Sequence, residues 1–299
     1  MRAHLLGLLG FAFSACGESA TPAADRSKLW EEFSGENALR HVQALVDCGP
    51  RPPASEALEK ARLYLSAQLE GAGWRVTRQT FTDETPRGKI TFINLIATFP
   101  GKAAPHFLLC SHYDTKIFET MRFVGANDGG SSNGVLLEMA RVLARRPELA
   151  AKVQLVFFDG EEAYVSFTDS DGLYGSRYFA KQLVAEGKAK QFRGGILFDM
   201  VGDRSLRITL PTDSPSEIAL GIFAAAEALN LRKHFTYATG GITDDHTPLN
   251  AAGIPTIDLI DFDYPPWHTP EDTMDKISAE SLKIVGSVAL RYLVETALR

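Results

Sequence analysis

The chain has 299 residues, 45% hydrophobic and 23% charged, enough apolar material for the core of one large globular domain, so general disorder is excluded. With a net charge of -6 and no prominent Lys/Arg run, it lacks the basic footprint of a nucleic-acid binder, and no such partner is expected. Beyond Cys16 only Cys48 and Cys110 remain, so no disulfide framework or multi-cysteine metal site is implied, and any metal would be held by histidine and carboxylates.

In chain order, MRAHLLGLLGFAFSAC places Arg2 before an apolar run from Leu5 to Ala15, about the length of a signal-peptide core and too short to span a bilayer. Residues 1–15 therefore read as an export signal. Phe13-Ser14-Ala15-Cys16 resembles a bacterial lipobox with Phe13 in place of the usual leucine, which makes Cys16 a candidate lipidation site; an ordinary secretory peptide or a later start methionine is the other reading. Residues 16–27 are small and polar and suit a tether, leaving 28–299 as one catalytic domain. The expectation is an exported protein, periplasmic or extracellular, monomeric, and in contact with a membrane only through its lipid anchor.

From Ser55 to Gly71, Leu58, Ala61, Leu65 and Leu69 recur at helical spacing, with Ser55 as cap and Gly71 as stop. Apolar, β-rich runs follow at 90–99, 106–111, 153–158, 195–199, 206–210 and 254–260, separated by helical patterns near 132–146, 173–187, 215–230, 245–252 and 278–298. This alternation predicts a single α/β domain with a mixed, mostly parallel central sheet and helices on both faces. Runs such as VQLVFF and GILF are nearly continuous in apolar residues, as strands buried on both sides require.

The polar residues fall at the carboxyl ends of these strands. SHYD (111–114), DGEE (159–162), Asp199 and WHTPED (267–272) each end or follow a strand, and Asp128 lies in the Gly-rich loop GANDGG. In a parallel α/β sheet those ends share one edge, where ligands bind, so His112, Asp114, Asp128, Glu161, Glu162, Asp199 and His268 would converge. So many carboxylates would repel one another unless a cation neutralised them. Imidazole and carboxylate without thiolate suit a catalytic zinc with an open position. Taken singly, each piece has a bland reading: Glu161-Glu162 as a solvated helix start, Asp128-Gly129 as a turn, Asp244-Asp245 as a cap, a lone histidine as structural.

The runs SHYDTK, GANDGGSSNGVLLEMARVL, FFDGEEA, DGLYGSR, FDMVGD, DDHTP and WHT, with CGPRPP near the start, resemble those of zinc-dependent glutaminyl-peptide cyclotransferases and, more loosely, the di-zinc aminopeptidases of the same superfamily. The resemblance implies a zinc-aminopeptidase-like, or phosphorylase/hydrolase-like, fold acting on peptide or protein N-termini. It further implies one zinc held by Asp128, Glu162 and His268, with Glu161 as proton shuttle and Asp199 and Asp244 as supporting catalytic acids. An aminopeptidase would instead bind two zinc ions, with His112 and Asp199 joining Asp128, Glu162 and His268. His112, Asp114 and Asp258 are thus second-metal or supporting residues; Asp258 stands where cyclases similar to this chain carry a histidine, and Phe167 where tryptophan is usual. Phe167, Tyr264 and Trp267 fall beside these motifs and are expected to line an aromatic substrate pocket, core packing being their alternative role.

Overall fold

A computed structural model of the chain describes Met1 and residues 26–299. The signal, lipidation and tether readings for residues 1–25, Cys16 included, lie outside the described residues. Eight strands form one mixed sheet: β1 (Arg75–Thr85), β2 (Gly88–Thr98), β3 (Phe107–His112), β4 (Val153–Phe158), β5 (Gly194–Asp199), β6 (Ile208–Leu210), β7 (Phe235–Tyr237) and β8 (Thr256–Ile260). Their order across the sheet is β1-β2-β4-β3-β5-β8-β6-β7. The central four, β4, β3, β5 and β8, are mutually parallel, while β1, β2 and the β6/β8 contact are antiparallel.

Side chains alternate between the faces, as a pleated strand dictates. Leu109, Leu155, Phe157, Ile196, Phe198, Ile257 and Leu259 point into the larger core layer, and Leu108, Cys110, Val156, Phe158 and Leu197 into the smaller. Over the larger layer pack α1 (Gly35–Asp47), α2 (Glu56–Gly71), α3 (Ser132–Ala144), α6 (Ser216–Ala228) and α8 (Ala279–Tyr292). The short α4 (Pro147–Ala150) leads into β4, and α5 (Tyr174–Ala185) and α7 (His246–Ala251) cover the other face through Phe179, Ala180, Leu183 and Leu249. The predicted Ser55 cap is present: its hydroxyl accepts from the Leu58 N–H at 3.1 Å. Cys48 and Cys110 are both free, and the sheet separates their packing environments.

Two elements near the start differ from expectation. The stretch now seen as α1 was not predicted as a helix, although Ala38, Val42 and Leu45 bury one stripe of it. Strand β1 escaped prediction because only Phe81 of its eleven residues is buried, which leaves little apolar signal. Among the described residues no helix is long and apolar enough to cross a membrane.

Candidate metal centre and active site

The parallel strands deliver the polar residues to one edge. His112 ends β3 and Asp114 follows it; Glu161 and Glu162 follow β4; Asp199 ends β5; and the loop after β8 brings in His268. Asp128 sits in a distorted turn ahead of α3, where Gly129 takes φ +72°. A Cβ on Gly129 would lie 2.8 Å from the Asp114 carbonyl oxygen and 2.9 Å from His112 Cε1, so only glycine lets this turn press against β3. His268 is itself left-handed, at φ +54°, a conformation that costs a non-glycine residue energy and is found where a site over-determines the backbone.

The side chains converge on Asp128. His268 Nε2 lies 3.4 Å from Asp128 Oδ2 and 3.3 Å from Glu162 Oε1. On the other side, His112 Nε2 lies 3.2 Å from both Asp128 Oδ1 and Asp199 Oδ1. Four ligand atoms about 2.1 Å from a tetrahedral zinc are separated by about 3.4 Å along each edge. Both triads therefore have the donor types and the spacing of a divalent-metal site, and Asp128, whose Oδ2 has no hydrogen-bond partner among the described residues, is common to the two. The fit is to a divalent ion, and the donor set points to zinc.

The same packing perturbs the acid–base groups. Burial raises Glu161 well above the usual carboxylate range, with Glu162, Asp244 and Asp245 adding to the effect and His112 opposing it. Asp128 is equally buried, yet His112 and His268 hold it below its ordinary value. Burial disfavours charge on His268, but Asp128 and Glu162 push its pKa up to about 9. His112 is raised well above its usual value against the same burial, by Asp114, Asp128 and Asp199. Groups that hold a proton in this way are those that exchange it for a metal ion.

A cavity of about 210 Å³ opens onto the His268 triad. Asp128, Glu161, Glu162, Asp199, Asp244 and His268 form its polar floor, and Phe167, Met200, Ile242, Ile260, Phe262 and Trp267 its apolar walls. Trp267 stacks on the His268 ring, centroids 4.2 Å apart and planes 24° apart, and leans on Phe262. Lys116 Nζ stands 5.9 Å above the Phe167 ring and donates to the Ala163 carbonyl. Tyr264, expected on the pocket, is not there: the turn in which Trp267 N–H donates to the Tyr264 carbonyl sends the two rings apart. Tyr264 is 4% exposed and packs on Met200 and Ile260, its hydroxyl donating to Asp272 Oδ1 at 2.8 Å.

Asp114 serves the backbone: its two oxygens accept from the Glu161 and Glu162 N–H groups at 3.2 and 3.3 Å. Asp244 reaches the cavity floor, whereas Asp258 lies behind it in β8, beside His246. Sequence reasoning missed two further supports. Asp272, the last residue of WHTPED, accepts from the Asn127 and Asp128 N–H groups at 2.8 and 3.1 Å and so fixes the Asp128 turn. Arg51, in CGPRPP, is wholly buried and donates to the carbonyls of Tyr113, Val124 and Gly125, tying the segment beside Asp114 to the one that leads into Asp128. A conspicuous Arg between prolines was the available signal for it.

Comparison with known proteins shows the family. The model of Peptidase family M28 matches residues 94–293. The glutaminyl-peptide cyclotransferase of Bothrops jararaca is 30% identical, the match covering 94% of this chain and 85% of that one. The crystal structure of Porphyromonas gingivalis glutaminyl cyclase superposes with a TM-score of 0.81 at 33% identity, over 89% of this chain and 99% of the other. A Zn-dependent exopeptidase from Parabacteroides distasonis gives a TM-score of 0.81 at 28% identity, over 88% of this chain and 98% of the other. The chain therefore belongs to peptidase family M28, on its glutaminyl-peptide cyclotransferase branch.

Proposed function

We propose that this chain is a zinc-dependent glutaminyl-peptide cyclotransferase, closing the N-terminal glutamine of a peptide to pyroglutamate and releasing ammonia at a single zinc. The observation that carries the reading is the cavity: at about 210 Å³ it is smaller than the roughly 300 Å³ of ordinary drug-sized sites, and apolar walls surround a floor of buried acids. Such a pocket takes one short polar side chain against apolar walls.

Asp128, Glu162 and His268 would hold the zinc, with its open position toward the cavity. Bound there, zinc supplies Lewis-acid polarisation of the substrate's γ-carboxamide oxygen. The apolar walls formed by Phe167, Phe262 and Trp267 fold the glutamine side chain back toward its own α-amine, and holding the two reacting ends together supplies much of the rate. Glu161, whose raised proton affinity suits it to take and hold a proton, accepts one from the α-amine as the nitrogen attacks the carbonyl carbon of the side-chain carboxamide. It returns that proton to the departing nitrogen, which leaves as ammonia. Asp244, buried beside Glu161, supports that proton affinity by like charge, and Asp199 acts as a supporting acid through His112.

His112 supports the reading of one ion rather than two. Unlike Asp128, Glu162, Asp199 and His268, it is not among the residues that line the cavity. The 3.2 Å spacings around His112 are the observation that favours the rival, a di-zinc aminopeptidase with Asp128 bridging. A paired assay separates the two. The cyclotransferase releases ammonia from Gln-peptides and leaves Leu- and Ala-peptides intact; release of free Leu or Ala with Gln-peptides uncyclised would establish the peptidase.

A further inference from the structure

Behind the cavity wall lies a second cluster, of which the proposed reaction uses only Asp244. Asp244, His246 and Asp258 are 3%, 1% and 0% exposed, and one ligand atom of each lies within 4.8 Å of the others. His246 Nδ1 is 3.8 Å from Asp258 Oδ2. Asp244 Oδ2, both oxygens of Asp258 and both ring nitrogens of His246 meet no donor among the described residues, and Asp244 and Asp258 lie close enough for one carboxyl to donate to the other only when it is protonated. Each such orphaned group costs on the order of 1–3 kcal/mol if nothing satisfies it. The imidazole is the informative member, because a buried structural histidine bonds at least one ring nitrogen to a neighbour, and this ring bonds neither.

Among the described residues no Lys or Arg pairs with these carboxylates, and Asp199 and Asp245 add further negative charge nearby. Two carboxylates and one imidazole make the same kind of donor set as Asp128, Glu162 and His268. We infer that Asp244, His246 and Asp258 form a further divalent-cation site, separate from the metal centre at Asp128. An ion would reach it through the cavity, since Asp244 forms part of the floor. Bound, it would pin the segment Gly241–Asp244, which lines the cavity, to β8 and so fix the shape of the pocket. Asp258 supplies one of its two carboxylates.

The test is anomalous diffraction at the zinc edge from crystals of the whole protein soaked in zinc chloride, together with the zinc content of the protein in solution. The expected map has a peak about 2.0–2.2 Å from donors of Asp244, His246 and Asp258, distinct from the peak at Asp128, Glu162 and His268. H246A and D258N would each lower the zinc content by one equivalent. A map with zinc at Asp128 and none beside His246 overturns the inference and means that protons shared among the carboxylates relieve their repulsion instead. The map on the unaltered chain stands even if either variant fails to fold, and because the two positions give separate peaks, it tests this site apart from the reading of the metal centre. Where map and content disagree, the map decides.

Discussion

Asp272→Ala tests how the Asp128 turn is held. Asp272 is 0% exposed and receives three donors: the Asn127 and Asp128 N–H groups and the Tyr264 hydroxyl. Removing the carboxylate leaves all three without their acceptor. At about 1–3 kcal/mol for each buried unsatisfied group, with water entering the vacated space to satisfy part of the loss, the expected destabilisation is about 3–6 kcal/mol. The turn carries the residue shared by both metal triads, so zinc affinity should fall about 10- to 100-fold, as is usual when a group that orients a metal ligand is removed. Urea denaturation measures the first and competition with a chromophoric chelator the second. Asp272→Asn keeps the shape and one acceptor oxygen and should lose less on both counts. A stability loss under about 1 kcal/mol together with unchanged zinc affinity would refute the role given to Asp272.

Tyr264→Phe removes one donor to Asp272 and should cost about 1 kcal/mol in urea denaturation while leaving KM for Gln-peptides unchanged, since the ring is not on the cavity; a raised KM would put Tyr264 on the substrate. Trp267→Ala strips the stacked wall from the pocket, and the loss of about 1–2 kcal/mol of aromatic contact should lower kcat/KM roughly 5- to 30-fold in steady-state kinetics. Gly129→Ala forces a Cβ into the Asp114 carbonyl and His112 at positive φ, and thermal denaturation should show a loss of more than about 1 kcal/mol. Asp261, buried and with no salt-bridge partner among the described residues, is pushed up to about 7 by burial, although the Arg207 and Asp263 N–H groups oppose this. Because the folded state keeps its proton and the unfolded state does not, Asp261 favours folding fully below about pH 4, and that contribution is lost as pH rises to about 7. Between pH 5 and 7 the loss is about 2–3 kcal/mol, and it should be missing from Asp261→Asn in urea denaturation across that range.

The central strands were legible because burial on both faces leaves a plain apolar run, as in Val153–Phe158, and the helices over them because one stripe repeats. The convergence of His112, Asp128, Glu162, Asp199 and His268 followed from strand ends sharing an edge, a consequence of parallel pairing. What sequence could not supply was direction within loops. Tyr264 and Trp267 are three residues apart, and a single turn hydrogen bond puts one ring behind the site and the other on its wall. Strand β1 is an exposed hairpin arm whose residues carry little burial signal. Asp272 and Arg51 act through backbone groups distant in sequence, and a side chain's hydrogen bonds to such groups leave no pattern in its neighbours.

The most direct test is Glu161→Gln. The variant keeps the shape of the cavity and every group proposed to hold zinc, and loses only the ability to take a proton. Ammonia release from a Gln-peptide should fall by about 10²–10⁴-fold, the usual worth of a positioned acid–base group, while the zinc content by mass spectrometry stays at the level of the unaltered protein. Cyclisation at an undiminished rate with zinc in place would contradict the assignment of Glu161 as the proton carrier, and with it the mechanism built around this cavity.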